Sequence, residues 1–334
     1  MKKSTHTFKT DPEVTLPVIR FKGRKKGPVG FISGGMHGDE INGMILVKKF
    51  VEDFIAGGFE KEMKGELIIL PLLNTTGFVK NQRKTVPDSL DLNRCFPGKK
   101  SGSFGEQFAK ELFDKFFSKA DFGIDCHDAG TSSALLPHTR VGACKDENGK
   151  CLTENLGRLF GTEIIVERKG KSGMMALAAY EKFKKPLVTV EIGGARHIFD
   201  EFVKEGVEGI KNILKYYEMI PGKPKLPKKQ FILKKRLGVK APQTGIIEFS
   251  VELGDFVHAG DTIGKMYYPQ TFEEDDLKSP MCGLVFSLHD YQIVKEGSVM
   301  YSVLETKKCH VDRTTLDKFE ELGKLKLNIE EVVM

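Results

Sequence analysis

The chain has 334 residues, of which 40% are hydrophobic and 29% are charged, and its formal net charge is +6. This length allows two domains of ordinary size, and the composition is that of a globular protein. No apolar run approaches the roughly 20 residues of a membrane span, and the lysines form no basic stripe interleaved with aromatic residues. We therefore expect neither a membrane nor a nucleic acid as partner. The first residues lack the apolar core of a signal peptide, which predicts a cytoplasmic location.

Strand and helix patterns alternate between residues 10 and 220. Residues 66–73 form a continuous apolar run, which is typical of a strand buried on both faces of a parallel sheet. The alternation predicts an α/β domain, with a mixed, largely parallel sheet flanked by helices. The predicted strands are 15–21, 29–32, 66–73, 120–126, 163–167 and 186–192, and the predicted helices are 41–50, 103–117, 153–160, 173–184 and 199–217.

The composition changes after residue 220. Residues 221–232 are rich in proline and lysine and are predicted to form a linker. Residues 233–334 read as short strands punctuated by glycine, and they contain a repeat with an offset of 37–38 residues. The repeat predicts two copies of one β-unit in a small all-β domain. The matching segments are 241–247 with 279–285 and 257–261 with 294–298.

This second domain resembles the barrel-sandwich fold of biotinyl and lipoyl carrier domains. Those carriers present a lysine at a tight hairpin, within Met-Lys-Met or Asp-Lys-Ala. The corresponding region here, residues 267–278, has neither motif. An accessory or assembly domain is therefore favoured over a prosthetic-group carrier.

The predicted strand 29–32 leads into Gly-Gly-Met-His-Gly-Asp-Glu, where His37 and Glu40 stand three residues apart. At a strand-to-helix turn this spacing lets an imidazole and a carboxylate converge on one cation. An open zinc site needs about three protein ligands. His127 is the best third candidate, because the carboxyl ends of parallel strands meet at one edge of a sheet. Alternatively, each histidine is an ordinary turn residue.

Two aspartates next to His127 are candidates to orient it. A metal-bound imidazole usually donates its second N–H to a carboxylate or a carbonyl. Either Asp125 or Asp128 could accept that hydrogen bond. The sequence leaves the choice between them open.

The loop 81–98 carries two arginines in a polar context. Guanidinium groups bind carboxylates with two parallel hydrogen bonds. Arg94, together with Asn93, could clamp a substrate carboxylate, and Arg83 could stabilise an oxyanion. The alternative for this loop is a set of surface salt bridges. Arg140 is a further candidate substrate contact.

Glu191 lies at the end of the apolar run Val188-Thr189-Val190, within the predicted strand 186–192, which two glycines follow. A carboxylate in this place suits a general base that takes a proton from water beside a metal ion. A buried structural ion pair is the alternative. The same position at a strand end favours convergence with His127.

Four motifs in this order resemble the succinylglutamate desuccinylase/aspartoacylase family, which has a zinc-carboxypeptidase-like fold. They are Gly-Gly-Met-His-Gly-Asp-Glu, Asp-Leu-Asn-Arg-Cys-Phe-Pro-Gly, Asp-Cys-His and Val-Glu-Ile-Gly-Gly. Cys126 stands where relatives commonly have an apolar residue, and we interpret it as a packing variation. The resemblance implies one zinc ion per subunit bound by His37, Glu40 and His127, with Glu191 as base and Asn93 and Arg94 as carboxylate binders.

The expected function is zinc-dependent hydrolysis of a linear amide in a small N-acyl amino acid or a related carboxylate-bearing amide. One alternative is a metallocarboxypeptidase that acts on peptides or cell-wall fragments. The other is a non-catalytic binding protein on the same fold. The sequence leaves open the acyl group, the amine, the oligomeric state (a homo-oligomer included) and the role of the β domain.

Overall fold

The computed structural model describes residues 1–142, 146–194, 197–289 and 292–305. The chain forms two compact units. The first unit contains Met1–Thr131 and Pro137–Gln230, and the second contains Ser132–Leu136 and the described residues from Phe231 onward. None of the helices in these ranges is long and apolar enough to cross a membrane.

Each helix and strand predicted between residues 10 and 220 has a counterpart in the first unit, which also contains short elements that were not predicted. The helices are α1 (Ile41–Ala56), α2 (Phe59–Glu62), α3 (Thr75–Val79), α4 (Phe104–Lys115), α5 (Glu147–Phe160), α6 (Met175–Phe183) and α7 (Asp200–Tyr216), with short 3-10 turns at Leu92–Arg94, Phe117–Lys119 and Gly130–Ser132. The strands are β1 (Lys2–Phe8), β2 (Val14–Lys22), β3 (Lys25–Gly34), β4 (Lys64–Leu70), β5 (Phe122–His127), β7 (His138–Val141), β8 (Ile164–Glu167) and β9 (Leu187–Glu191).

These strands form one mixed sheet in the order β1-β2-β4-β3-β5-β9-β7-β8. The central strands β4, β3, β5 and β9 are parallel to one another. Strands β1 and β2 extend the sheet in antiparallel fashion, and β7 is antiparallel to β9. The predicted mixed α/β sheet is therefore confirmed, and the carboxyl ends of β3, β5 and β9 share one edge.

Helices cover both faces of this sheet. On β3, Phe31 belongs to one core cluster and Ile32 to the other, as the alternation of side chains along a strand requires. One cluster includes residues of α1, α5 and α7, and the other includes residues of α4 and α6. Burial on both faces explains why β4 is a continuous apolar run.

Local capping sets where α4 begins. The Ser103 hydroxyl accepts a hydrogen bond from the Glu106 amide, and the Glu106 carboxylate accepts one from the Ser103 amide. This reciprocal pair satisfies two N–H groups that a helix terminus otherwise leaves without partners. The helix therefore starts at Phe104, directly after Ser103.

In the part of the second unit that the structure describes, the regular elements are strands. Its two sheets have the orders β11-β18-β16-β13, with β6 paired to β16, and β15-β14-β12-β17. The strands are β6 (Ser133–Leu135), β10 (Phe231–Leu233), β11 (Arg236–Lys240), β12 (Gly245–Phe249), β13 (Phe256–Val257), β14 (Thr262–Tyr268), β15 (Glu273–Lys278), β16 (Gly283–His289), β17 (Ile293–Val294) and β18 (Val299–Glu305).

The sequence repeat is visible in the order of these strands. Strands β11 to β14 form one copy and β15 to β18 form the other. In this repeat β11, β12, β13 and β14 correspond to β15, β16, β17 and β18. Replacing each strand of the order β11-β18-β16-β13 by its counterpart gives β15-β14-β12-β17, which is the order of the second sheet. Each sheet therefore takes two strands from each copy, so neither copy forms a sheet by itself.

Candidate active site

Three predicted ligand residues lie together at the carboxyl edge of the sheet. His37 and Glu40 occupy the turn between β3 and α1, and His127 is the last residue of β5. Each of the three side chains is 2% exposed. His37 Nδ1 lies 2.6 Å from Glu40 Oε1, and His127 Nδ1 lies 2.7 Å from Glu40 Oε2. One donor atom from each residue lies within 4.8 Å of the other two.

The far nitrogen of each imidazole meets an aspartate. His37 Nε2 is 3.0 Å from Asp91 Oδ1, and His127 Nε2 is 2.6 Å from Asp125 Oδ2. The Ser33 hydroxyl donates a hydrogen bond to the other oxygen of Asp125, at 2.7 Å. These aspartates favour the proton on Nε2, which leaves the Nδ1 lone pair for a cation. Of the two aspartates beside His127, Asp125 holds the ring.

The group is electrostatically coupled. Burial opposes ionisation of Glu40, but the charges of His37 and His127 outweigh it and hold the pKa of Glu40 well below its ordinary value. Burial lowers the pKa of both histidines, but the neighbouring carboxylates raise it more, so each pKa lies above its ordinary value. Two imidazoles and one carboxylate, buried and converging, are a donor set that fits zinc.

A close backbone approach fixes the turn that carries His37 and Glu40. A Cβ atom on Gly38 would lie 2.1 Å from the carbonyl carbon of Gly77, in α3. Such a distance is far inside van der Waals contact, so α3 can pack against the turn only because residue 38 is glycine. Asn74 caps α3 through a 2.8 Å hydrogen bond that its Oδ1 accepts from the Gly77 amide.

Arg83 reaches the ligand group from the loop after α3. Its NH1 donates a hydrogen bond to Glu40 Oε1 at 3.3 Å, while Nε and NH2 donate to Asp91 Oδ2 at 3.2 and 3.1 Å. Burial would raise the pKa of Asp91, but His37 and Arg83 lower it more, so this pKa is well below its ordinary value. The Arg83 side chain is 46% exposed, so it spans from the ligands to solvent.

Asn93 and Arg94 lie in the 3-10 turn that follows Asp91. The Asn93 backbone amide donates to Asp91 Oδ1 at 2.9 Å, and Asn93 Oδ1 accepts from the Met175 amide at 2.8 Å. The carboxamide oxygen of Asn93 is thus used to hold the start of α6. Arg94 is exposed, and its NH1 donates to the Asn93 carbonyl at 2.5 Å.

Glu191 stands beside His127 because of strand register. Residues His127 and Glu191 are partners on β5 and β9, and Glu191 is 3% exposed. Arg140 NH1 lies 2.8 Å from Glu191 Oε1 across β7 and β9. Burial raises the pKa of Glu191, and the opposing charge of Arg140 does not reverse this. The structure therefore places Arg140, predicted as a substrate contact, against the predicted base.

Arg168 was missed by sequence reasoning. Arg168 directly follows β8; burial and the charge of Arg140 lower its pKa, and the charge of Glu191 opposes this shift. Among the described residues, the Arg168 guanidinium makes no hydrogen bond or ion pair, and Arg140 Nε is buried without a hydrogen-bond partner. No motif marks Arg168, since it follows a short strand in a lysine-rich loop.

Cys126 packs in the core cluster that includes α1 residues and is fully buried. Burial, with the charge of Asp125, raises the pKa of the Cys126 thiol well above its ordinary value. A thiol in this environment stays protonated and is a poor nucleophile. The geometry agrees with a packing role.

Together, the fold and the site define an open α/β-sheet protein with a buried His-Glu-His group at the carboxyl edge of its parallel strands. Residues 26–217 match the family described as the succinylglutamate desuccinylase/aspartoacylase catalytic domain. The chain belongs to this family.

Known relatives span both units of the chain. N-alpha-acetyl-L-2,4-diaminobutyric acid deacetylase of Halomonas elongata is 27% identical over 259 residues, which is 76% of this chain and 74% of that protein. The product-bound structure of the ectoine utilization protein EutE (DoeB) of Ruegeria pomeroyi is 25% identical, with a TM-score of 0.78, covering 91% of this chain and 94% of that one. A succinylglutamate desuccinylase/aspartoacylase structure from Rhodobacter sphaeroides is 26% identical, with a TM-score of 0.77 and coverages of 91% and 95%.

Proposed function

We propose that this protein is a zinc-dependent deacylase that hydrolyses the amide bond of a small N-acyl amino acid. The observation that carries the proposal is the buried group of His37, Glu40 and His127. Both imidazoles turn Nδ1 toward Glu40 while a carboxylate holds Nε2. Membership of the family and the deacetylase name of the Halomonas relative support the same reaction class.

His37, Glu40 and His127 would hold the ion. Zinc, when bound, supplies a Lewis acid that polarises the amide carbonyl and lowers the pKa of water toward about 7. The roles of this chain's own residues follow from their positions. Glu191, next to His127 in register, takes the proton of the attacking water on a carboxylate oxygen. It then delivers that proton to the nitrogen of the leaving amine.

The surroundings of Glu191 suit a base. Its burial raises its pKa, and a higher pKa makes a carboxylate a stronger proton acceptor. Arg140 holds the carboxylate in one orientation through Oε1. Low exposure also excludes bulk water, which strengthens every charge interaction in the site.

Arginines supply the complementary positive charge. Arg83 donates toward Glu40 and could donate in the same way to the oxyanion that develops on the amide carbonyl. Arg94 is exposed and bound only to a neighbouring carbonyl among the described residues, so its remaining donors suit a substrate carboxylate. The spare N–H groups of Arg140 and Arg168 add to the preference for an anionic substrate.

The test is a hydrolysis screen of the zinc-loaded protein. The panel contains acetyl, succinyl and longer N-acyl amino acids, including N-acetyl-2,4-diaminobutyrate because of the named relative, together with short peptides. We expect amine release from an N-acyl amino acid, and loss of that activity after chelation. Preferential cleavage of peptides would instead identify a carboxypeptidase. Zinc binding without any hydrolysis would identify a binding protein.

A further inference from the structure

Helix α1 has no cap from its own N-terminal residue. Glu40 occupies the N-cap position, but its side chain makes no capping hydrogen bond because both oxygens face the imidazoles. The first amides of a helix need acceptors from elsewhere. The Asn42 amide finds one in Asp128, whose Oδ2 accepts its hydrogen at 2.7 Å.

Asp128 connects two ligand-bearing segments. It directly follows His127, is 2% exposed, and uses its second oxygen to accept from the Gly130 amide at 2.7 Å. The carboxylate therefore has one oxygen on its own loop and one on the first turn of α1. This fixes the position of Glu40 relative to His127.

The Asn42 side chain adds the third segment. It is fully buried, its Nδ2 donates to the His197 carbonyl at 2.9 Å, and its Oδ1 accepts from the Phe199 amide at 3.0 Å. Those partners lie on the stretch that follows Glu191. A single residue thus joins the start of α1 to the stretch after β9, while its own backbone amide joins α1 to β5.

We propose that Asn42 and Asp128 are positioning residues that set the zinc affinity of the site. The inference rests on the metal centre of the proposed function. Neither side chain belongs to the predicted ligand set. Both hold the segments that carry it at fixed spacing, so little reorganisation is needed when the ion binds. Removing groups that orient metal ligands typically costs about 10–100-fold in affinity.

Asn212 provides a matched control. It is also a buried asparagine, at 2% exposure, and bridges two separate segments. Its Nδ2 donates to the carbonyls of Phe160 and Lys225 at 3.3 and 2.9 Å, and its Oδ1 accepts from the Lys225 amide at 2.8 Å. None of these hydrogen bonds reaches a ligand-bearing segment. Loss of the Asn212 hydrogen bonds should therefore leave the zinc affinity unchanged.

The experiment measures the zinc dissociation constant by chelator competition and the thermal midpoint of the metal-free protein. The proteins are the full-length wild type, Asn42→Ala, Asp128→Asn and Asn212→Ala. We expect Asn42→Ala to raise the dissociation constant about 10–100-fold, at a stability comparable with that of Asn212→Ala. Asn212→Ala should stay close to the wild type in zinc affinity. Asp128→Asn keeps one acceptor oxygen and should show a smaller increase.

Equal zinc affinity in Asn42→Ala, Asp128→Asn and the wild type would overturn the inference. So would equal weakening in Asn212→Ala, since the effect would then follow from general destabilisation. If Asn42→Ala does not fold, the nearly isosteric Asp128→Asn decides. If the wild type binds no zinc, the proposed function itself is wrong. If the wild type binds zinc and both variants bind it equally tightly, only this inference is wrong.

Discussion

Glycine residues have different structural roles in the two units. In the first unit, a Cβ atom on Gly38 would lie 2.1 Å from the Gly77 carbonyl carbon, and one on Gly43 would lie 2.4 Å from the Cys126 carbonyl oxygen. In the second unit, Gly260 and Gly297 have φ of +88° and +75°, and nothing lies within 4 Å of a Cβ built on either. The first pair permits distant segments to approach, and the second pair forms equivalent turns of a repeat.

The polar groups differ in the same way. In the first unit, buried imidazoles and carboxylates from distant segments converge on one point. In the second, Arg236 donates to the hydroxyls of Ser302 and Ser287 at 2.8 and 3.0 Å, and these serines bond to each other. Within the described ranges, the metal-binding type of cluster occurs only in the first unit. The candidate metal site thus lies in the first unit, and the described part of the second unit is a repeated arrangement of strands.

The largest expected effect concerns Glu191. Glu191→Gln keeps the shape of the side chain but removes the proton acceptor, so kcat should fall about 10²–10⁴-fold while zinc affinity is retained. Turnover and zinc content of the purified variant check this. Glu66→Gln is the matched control, because Glu66 also pairs with an arginine, Arg20, at 2.5 Å in the same sheet. Full turnover in Glu191→Gln would exclude it as the base.

The second effect is the pH dependence of zinc binding. The pKa values of His37 and His127 are raised by carboxylates despite burial, so zinc must displace protons. Apparent affinity should rise with pH, by up to about tenfold per pH unit for each proton released. Dissociation constants measured between about pH 6 and 8 test this. A flat profile would contradict the raised pKa values.

The same histidines predict an opposite trend for the metal-free protein. A histidine whose pKa is higher in the folded protein than in the unfolded chain stabilises the folded protein. This stabilisation is complete below the pKa of the unfolded chain, about 6.5, and is lost as the pH rises through the pKa of the folded protein. The thermal midpoint of the metal-free chain should therefore fall as the pH rises. A midpoint that rises over the same range would show that other groups dominate.

The smallest effects test the contrast between glycines. Gly38→Ala forces α3 away from the ligand turn, so it should cost about 1–3 kcal/mol and also weaken zinc binding. Gly260→Ala and Gly297→Ala should each cost about 1–2 kcal/mol, nearly equally, because both positions are left-handed. Neither should change zinc affinity. Denaturant unfolding and zinc titration of the three variants measure these outcomes, and unequal costs in the repeat pair would weaken the comparison.

The sequence predicted the parts of the site that local patterns encode. His37 and Glu40 share one turn, and His127 and Glu191 end apolar strands, so periodicity and strand order were sufficient to bring them together as candidates. The repeat offset likewise predicted two copies of a β-unit. These signals are local or periodic, so they can be read from the sequence without knowledge of the tertiary structure.

Other contacts carry no such signal. Asp91 meets His37 across 54 residues, and Asn42 meets the His197 carbonyl across 155. Both depend on loop paths that follow from packing rather than from spacing. Strand β7 has four residues, too few for a period to show. These partners therefore follow from the tertiary structure alone, whereas His37, His127 and Glu191 lie at the strand ends that the sequence indicates.

Strand β6 has a consequence for synthesis. Its residues Ser133–Leu135 pair with β16, and a ribosome makes that partner about 150 residues later, a delay of roughly 8–30 s at about 5–20 residues per second. During that interval the short strand emerges without its partner, and an unpaired strand edge invites wrong pairings. Completion of the second unit thus waits for the synthesis of β16 and β18, long after the strand that carries His127 has emerged.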